Sequence, residues 1–432
     1  MTHRNDRSLR VGALSRVEGE GAMHVRVRNG EVADVQLEIY EPPRFFEALL
    51  RGRSYLEPPD ITARICGICP VAYQMSACQA IEDACEVSVD ERIQALRRLL
   101  YCGEWIESHV LHIYLLHAPD FLGYQSAIEM AADHRDLVER GLALKKLGND
   151  IMEVIGGRAI HPINVKVGGF FRAPAPAELR PLGERLLQAR DAAIETVQWV
   201  AGFDFPDFHH DHEMLAMTTP GRYPIESGSL ISTGGLAFPA SAFEDHVVEE
   251  QVPHSTALHA HLVNRDHYLV GPAARYTLNS ASLSPMAREV AHDAGLGEQE
   301  RNPFRGIIVR AVEVVYAIDE ALRLIDGYQP PAPAAIEVPP HAGVGYGITE
   351  APRGVLYHRY ELDAAGLVTS AKIVPPTSQN QASIEHDLTE FVSTRLSLPD
   401  DQLQWECEQA IRNYDPCISC SAHFLDFTVE RS

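Results

Sequence analysis

Two short cysteine pairs are the residues of this sequence best suited to chemistry. Cys66 and Cys69 form one C-x-x-C pair, and Cys417 and Cys420 form the other. Four converging thiolates suit a soft or borderline metal such as zinc, nickel or iron. A bound cation lowers the pKa of each thiol, so the ligands are deprotonated near neutral pH. Because the pairs lie near opposite ends of the chain, they predict that the two ends meet in one compact unit.

Three interpretations of the pairs remain open from spacing alone: a structural zinc site, independent thiols and a catalytic metal centre. Paired zinc ligands usually lie tens of residues apart, whereas these pairs are separated by most of the chain. A thioredoxin-like redox pair would lie in a βαβ segment, and neither pair does. The remaining cysteines are expected to be small buried apolar side chains: Cys78, Cys85, Cys102 and Cys407.

Composition narrows the class of protein. The chain has 432 residues, 45% of them hydrophobic, and a formal net charge of −23. That charge would repel a phosphate backbone, so no nucleic-acid ligand is expected. No apolar run approaches the ~18 residues of a membrane span, and the polar N-terminus shows no signal peptide. We therefore expect a globular metalloprotein of the cytoplasm, with no direct membrane insertion.

The elements that must position the cysteines are mainly helical. Helices are predicted over residues 73–150, 178–202 and 305–326, where apolar side chains recur every three or four residues. A β-hairpin is predicted over residues 9–40, because Asn29–Gly30 separates two alternating runs.

The C-terminal half adds a second hairpin. It is expected at residues 353–374, followed by a helix near 382–396 and a short helix before the last cysteine pair. Stretches rich in Gly and Pro at 156–176, 219–240 and 327–347 are expected to be connectors. The fold class is therefore α+β, mainly α, as one domain spanning residues 1–432.

The motifs around the cysteines resemble those of one known family. R-x-C-G-x-C at Arg64–Cys69 and D-P-C-x-x-C-x-x-H at Asp415–His423 resemble the large subunit of nickel-iron hydrogenases. Further matching segments follow in the family's order: Arg16–Gly19, Arg44–Glu47, Ser108–His112, Gly156–Pro162 and Ala351–Gly354. The resemblance implies that family's fold, a long helix bundle with β-hairpins near both ends, and cleavage of dihydrogen as the activity.

The resemblance also implies a set of metal ligands. Cys66 and Cys417 match terminal nickel ligands, while Cys69 and Cys420 match thiolates that bridge nickel to iron. The iron of that centre carries carbon monoxide and cyanide ligands. The resemblance therefore makes the catalytic metal centre the preferred interpretation of the four thiols.

Three residues match the family's proton and cofactor machinery. Glu18 matches a carboxylate that relays protons after the thiolate at Cys417 accepts them, and the alternative is a solvent-exposed strand carboxylate. Arg353 matches an arginine over the open side of the metals, where its fork of donors would hold a cyanide. Thr377, with Pro376 beside it, matches the segment that hydrogen-bonds the other cyanide.

The resemblance also implies a second metal ion and proteolytic processing of the C-terminus. Glu47 and His423 match ligands of a magnesium or iron ion, although Glu47 could instead pair with Arg44 or Arg51. Residues 424–432 match an extension that a maturation protease removes, and the alternative is an ordinary terminal strand. One position departs from the family, since Tyr73 stands where many members have histidine.

The resemblance finally implies partner chains. The sequence has no G-x-G-x-x-G after a strand and no P-loop, so electrons need an exit on another chain. The family pairs this subunit with a small subunit that carries iron–sulfur clusters. The Arg16–Gly21 segment most resembles the cytoplasmic branch, whose members add FAD- and NAD(P)-handling diaphorase subunits or reduce sulfur. The rivals are a hydrogen sensor and a non-catalytic relative in a respiratory complex.

Histidines elsewhere are given structural roles at this stage. His209, His210 and His212 lie in a run that could bind a metal, but a solvated polar loop is the preferred interpretation. His109 and His112 lie three residues apart on a predicted helix and are expected to be structural.

Overall fold

The computed structural model describes residues 6–41 and 45–422. It begins with an antiparallel sheet of three strands in the order β1 (Arg7–Val11), β2 (Gly21–Arg28) and β3 (Glu31–Ile39). Asn29 and Gly30 turn between the last two with φ of 54° and 83°, the left-handed backbone that a tight hairpin turn requires. The predicted hairpin is confirmed.

The remaining elements alternate between helices and short strands. The helices are α1 (Phe46–Leu50), α2 (Pro58–Thr62), α3 (Pro70–Ala84), α4 (Glu91–Leu111), α5 (Ala118–Leu122), α6 (Ala127–Asp133), α7 (Arg135–Gly156), α8 (Pro176–Ala201), α9 (Phe243–His246), α10 (Pro272–Asn279), α11 (Pro285–Asp293), α12 (Gly306–Asp326), α13 (Pro376–Ser393), α14 (Asp400–Arg412) and α15 (Ile418–Ser421). The strands are β4 (Val165–Lys166), β5 (Gly169–Phe170), β6 (Glu213–Thr218), β7 (Ser229–Ser232), β8 (Ala237–Phe238), β9 (Val247–Glu250), β10 (His259–Leu262), β11 (Tyr268–Leu269), β12 (Gly343–Ala351), β13 (Gly354–Leu362) and β14 (Val368–Val374).

A helical core forms the interior. Helix α4 packs against α7 and α12, and α8 packs against α12. The helices predicted at 178–202 and 305–326 correspond to α8 and α12. The predicted stretch at 73–150 is divided into shorter helices, because the Asp90 side chain caps the start of α4 by accepting from two backbone amides. A π-helical turn at His112–His117 and the left-handed Gly123 divide it further.

A second sheet holds the C-terminal part of the site. Strands β12, β13 and β14 are antiparallel neighbours in that order. The hairpin predicted at 353–374 therefore corresponds to β13 and β14, with a third strand, β12, that sequence reasoning did not predict. Helix α3 lies against β12, and α13 follows β14 directly. The sheet thereby contacts α3, which follows the first cysteine pair, and α13, which contacts the second pair.

Among the described residues, no helix is both long and apolar enough to cross a bilayer.

Candidate metal centre

The four sulfur atoms of the cysteine quartet (Cys66, Cys69, Cys417 and Cys420) converge in the buried interior. All four lie within 4.8 Å of one another. The sulfurs of Cys66 and Cys417 are 3.5 Å apart, and those of Cys69 and Cys420 are 3.8 Å apart. Thiolates bound at about 2.3 Å to one tetrahedral metal lie about 3.8 Å apart, so this spacing fits a shared metal. The prediction that the two cysteine pairs meet is confirmed.

Hydrogen bonds and burial make the pKa values of the quartet's thiols differ from one another. The backbone amides of Ile68 and Cys69 both donate to Cys66 Sγ at 3.3 Å. Hydrogen bonds from Cys417, and then from Cys420 and Cys69, hold the pKa of the Cys66 thiol well below its usual range. Burial instead raises the pKa of Cys417, and it raises that of Cys420 to about 11. A metal cation would supply the positive charge that lets all four sulfurs ionise together.

Short turns present the sulfurs. Cys69 immediately precedes Pro70, the first residue of α3, and Cys417 immediately precedes α15. The backbone of Glu18 runs parallel to that of Cys417, and the Ile418 amide donates to the Glu18 carbonyl at 2.9 Å. The N-terminal segment thus holds the C-terminal pair in place. The other four cysteines are buried free thiols, as expected.

The Glu18 carboxylate reaches the quartet. Its Oε2 lies 3.1 Å from Cys417 Sγ and accepts from the Ser419 amide at 3.1 Å. Burial raises the pKa of Glu18, and the Cys66 sulfur acts in the same direction. A solvent-exposed strand carboxylate, the alternative considered for this residue, does not describe this environment. The arrangement suits a group that accepts and releases a proton.

Arg353 lies close enough to the quartet for its charge to interact with three of the sulfurs. It is buried, and its guanidinium donates to the Asp415 backbone carbonyl at 2.7 Å and to Asp415 Oδ1 at 3.0 Å. Burial acts to lower the pKa of Arg353, but Asp415 and the cysteine sulfurs raise it well above its usual value. A permanent positive charge therefore faces the sulfurs, so Arg353 is not a surface arginine.

The start of α13 contacts the second cysteine pair. Thr377 Oγ1 accepts from the Cys417 amide at 3.0 Å, which leaves the hydroxyl proton free to donate elsewhere. Pro376 is the first residue of this helix, where a missing N–H costs nothing. Both residues are buried.

The residues matched to the second ion are only partly described. Glu47 Oε1 accepts from the Ile373 amide at 2.8 Å, which joins α1 to β14. His423, Arg44 and the tail at 424–432 lie outside the described residues. Tyr73 is fully buried, and its hydroxyl has no hydrogen-bond partner among the described residues.

Arg275 is a buried residue that sequence reasoning missed. Its guanidinium donates to the carbonyls of Ala351 and Pro352 at 2.8 Å, immediately before Arg353. It also pairs with Glu313 at 2.8 Å and with Glu350 at 2.9 Å, all within the fully buried interior. Arg275 therefore positions the backbone that presents Arg353. No motif or spacing marks it in the sequence, because its partners lie far away along the chain.

His210 and His212 contradict the solvated loop expected for their segment. They are 2% and 5% exposed, and His212 Nε2 lies 2.6 Å from the buried Asp387 carboxylate. His109 and His112 are buried as well, with His109 Nε2 2.9 Å from Glu313 and His112 Nε2 2.8 Å from a backbone carbonyl.

Comparison with known proteins bears on the whole chain. A family model described as nickel-dependent hydrogenase matches residues 44–140 and 264–423. The alpha subunit of sulfhydrogenase 1 from Pyrococcus furiosus is 34% identical over 421 residues, which cover 96% of this chain and 98% of that protein. The beta subunit of the NAD-reducing hydrogenase HoxS from Cupriavidus necator is 26% identical, covering 97% of this chain and 95% of that protein.

Solved structures share the fold. The crystal structure of an NAD⁺-reducing [NiFe]-hydrogenase in its H2-reduced state superposes with a TM-score of 0.86 at 24% identity, over 96% of this chain and 99% of that one. A [NiFeSe]-hydrogenase of Dm. baculatum superposes with a TM-score of 0.79 at 22% identity, over 97% of this chain and all of that one. Together with the matching family model, these results show that the chain belongs to the nickel-dependent hydrogenase family and is a catalytic large subunit.

Proposed function

We propose that this chain cleaves dihydrogen reversibly into protons and electrons, with the cysteine quartet as the metal site and Glu18 as the proton relay. The contact that carries the proposal is the 3.1 Å distance between Glu18 Oε2 and Cys417 Sγ. A nickel–iron pair bound by these sulfurs, with carbon monoxide and cyanide on iron, would supply the Lewis acid that makes dihydrogen acidic.

The donor set fits such a centre. Four buried sulfurs, none in a disulfide, present the soft ligands that nickel and iron take. Cys66 and Cys417 would be terminal nickel ligands, and Cys69 and Cys420 would bridge to iron. The sulfurs of Cys69 and Cys420 are 3.8 Å apart, so both could bind the same centre.

Proton traffic would pass from Cys417 to Glu18. The sulfur and the carboxylate are within hydrogen-bond distance, so one proton can move between them without a water. The raised pKa of Glu18 brings the carboxyl closer to neutral pH, where it can hold the proton and then release it.

Arg353 and the start of α13 would hold the iron's ligands. The guanidinium donors and the Thr377 hydroxyl are hydrogen-bond donors beside the sulfurs, and the backbone turn at Pro376 fixes the threonine. Cyanide nitrogen accepts hydrogen bonds, so these groups would orient the diatomic ligands and exclude water from them.

A second ion and a processing step complete the proposal. Glu47 and His423 would bind magnesium or iron, and a maturation protease would remove residues 424–432 once the metal is in place. The mature chain would then act as a single domain. A purified chain whose mass ends at His423 supports this step, whereas a chain with full activity and an intact tail contradicts it.

The electron route requires partners. We infer an iron–sulfur small subunit and, beyond it, an FAD- and NAD(P)-handling diaphorase in a cytoplasmic complex. The likeness to a beta subunit of an NAD-reducing hydrogenase supports this acceptor. The likeness to sulfhydrogenase alpha subunits favours sulfur reduction as the second candidate. Hydrogen-dependent reduction of NAD⁺, NADP⁺ and polysulfide by the purified complex separates the two.

The central test uses the complex purified from its own host. Infrared bands for carbon monoxide and cyanide are expected, and Cys417→Ser should abolish dihydrogen cleavage. Glu18→Gln should keep the infrared bands but reduce hydrogen–deuterium exchange with solvent by at least 100-fold. Glu20→Gln is the matched control, since that side chain is exposed in the same segment. Exchange in Glu18→Gln equal to that in Glu20→Gln would remove Glu18 from the relay.

A further inference from the structure

Three histidine rings from distant segments converge on one spot away from the cysteine quartet. One ring nitrogen from each of His212, His267 and His386 lies within 4.8 Å of the other two. The ring centroids of His212 and His267 are 4.7 Å apart, and that of His386 lies 5.3 Å and 4.6 Å from them. Of the three, only His212 lies in a sequence run that could bind a metal, and nothing in the local sequence marks His267 or His386.

The strand register brings the first two rings together. Strands β6 and β11 are parallel neighbours with Tyr268 beside Glu213, so the residues that precede them, His267 and His212, lie side by side. Helix α13 packs against β11 and contributes His386. Two parallel backbones and one helix therefore hold the three rings.

Carboxylates orient two of the rings. His212 Nε2 lies 2.6 Å from Asp387 Oδ1, and His267 Nδ1 lies 2.9 Å from Asp266 Oδ1. A carboxylate accepts the ring proton, which leaves the lone pair on the opposite nitrogen available to a cation. Metal-binding histidines are commonly held by a carboxylate on their second nitrogen in this way.

The charge around the rings also favours a cation. Burial acts to raise the pKa of Asp387, but the hydrogen bond from His212 and the nearby ring of His386, 3.8 Å away, hold it far below its usual range, so this buried carboxylate is ionised. Glu390 Oε1 lies 3.9 Å from His386 Nε2. His210 stacks on His212 at 4.9 Å, and burial lowers its pKa to about 4, so it adds no positive charge near neutral pH.

We propose that His212, His267 and His386 form a second metal site, which binds a divalent late transition metal of the zinc class. Imidazole nitrogens bind zinc at about 2.0–2.1 Å, which places them about 3.3 Å apart. Metal binding therefore requires the three nitrogens, which lie within 4.8 Å of one another, to move closer together. The fourth position is open to water or to the Glu390 carboxylate, because the His386 side chain is 44% exposed.

A metal bound at this site would be linked to the cysteine quartet through hydrogen bonds of Asp387. Asp387 holds His212 and also accepts from the hydroxyl of Tyr414, three residues before Cys417. The same helix carries Thr377, which accepts from the Cys417 amide. A metal here would therefore stabilise the helix and the turn that present the second cysteine pair.

Cobalt provides the test, because its spectrum reports its ligands. The complex, stripped of loosely bound metal with a chelator, is titrated with Co²⁺. One added equivalent should give the visible bands of cobalt bound by imidazole, without the near-ultraviolet sulfur-to-cobalt charge transfer of a thiolate site. His267→Ala and His386→Ala should each weaken this binding at least 100-fold. His209→Ala is the matched control, since its ring is exposed in the same segment as His212 and should leave binding unchanged.

X-ray absorption of the zinc-loaded wild-type complex is a second test, and it does not require any variant to fold. Scattering from imidazole nitrogen at 2.0–2.1 Å is expected, and sulfur at 2.3 Å would place the zinc in the cysteine quartet instead. The proposal is overturned by a sulfur shell, by the absence of tight cobalt binding in wild type, or by equal binding in His209→Ala and a folded His386→Ala.

Discussion

Arg353 and Asp415 form a two-point contact near the cysteine quartet. The arginine donates through Nε to the Asp415 carbonyl and through Nη2 to the Asp415 carboxylate, at 2.7 Å and 3.0 Å. Asp415 takes a left-handed backbone with φ of 50°. The pair thus joins the turn between β12 and β13 to the segment that leads into Cys417.

Removing the carboxylate should be costly because it leaves the arginine charge buried. Asp415→Ala is expected to lower the free energy of unfolding by about 3–5 kcal/mol, and Asp415→Asn by less, since an amide oxygen can still accept. Denaturant unfolding of the purified chain measures both. Asp60→Ala removes an exposed pair with Arg64 and should change stability by less than about 0.5 kcal/mol. Equal losses in Asp415→Ala and Asp60→Ala would contradict the role given to the buried pair.

Arg275 should affect both stability and activity. Arg275→Met leaves Glu313 and Glu350 without their cation and frees the carbonyls before Arg353, so a loss of about 3–5 kcal/mol is expected. Adding Glu350→Gln should recover part of that loss, because the residues interact directly. Urea midpoints and hydrogen uptake measure the two effects. Arg288→Met, at an exposed arginine, is the control; a fully active Arg275→Met would show that the loop does not need this support.

Glycines on one face of β12 let α3 approach the strand. A Cβ at Gly347 would overlap the backbone carbonyl of Ser76, and one at Gly345 would overlap that of Ala80, one helical turn further on. Because α3 begins next to Cys69, Gly347→Ala should shift that sulfur. We expect a loss of about 3 kcal/mol and reduced nickel content by elemental analysis. Gly12→Ala meets open space and should be neutral; normal nickel in Gly347→Ala would show that the helix adjusts.

His358 should make stability depend on pH. Burial lowers its pKa to about 3, so the folded chain keeps this ring neutral while the unfolded chain binds a proton below about pH 6.5. The contribution of this neutral ring to the free energy of unfolding is full above about pH 6.5 and is lost as the pH falls towards 3. Between pH 6 and 4.5 the loss is about 2 kcal/mol. His358→Gln should show a correspondingly smaller pH dependence of unfolding, whereas His292→Gln, at an exposed ring, should match wild type.

The local sequence was sufficient to predict the elements whose structure depends on neighbouring residues. Asn29–Gly30 predicted the first hairpin because both residues tolerate the left-handed turn, and apolar periodicity predicted α8 and α12 nearly to their ends. The segment predicted to be helical at 73–150 is mainly helical, but the periodicity did not locate the breaks between its helices. Its division depends on the cap at Asp90 and on a π-helical turn at His112–His117, which are weak signals beside a strong apolar period.

The residues of the site also fall into those that the local sequence predicts and those that depend on distant contacts. The cysteine motifs are short and distinctive, so their convergence could be predicted without a structure. The contacts of Arg275 could not be predicted, because its partners lie 38 and 75 residues away without any pattern. The three-histidine cluster was also missed, because the register of β6 with β11 and the packing of α13 decide it.

The separation of the two cysteine pairs along the chain also determines how long the first pair exists before the second is synthesised. Cys66 and Cys417 lie 351 residues apart, so at 5–20 residues per second the ribosome needs roughly 20–70 s to synthesise the chain between them. During that interval Cys66 and Cys69 have left or are leaving the ribosome without their two partners. A delivery protein could therefore reach the first pair while its sulfurs are still accessible, before the late-arriving Cys417 and Cys420 close the site against solvent.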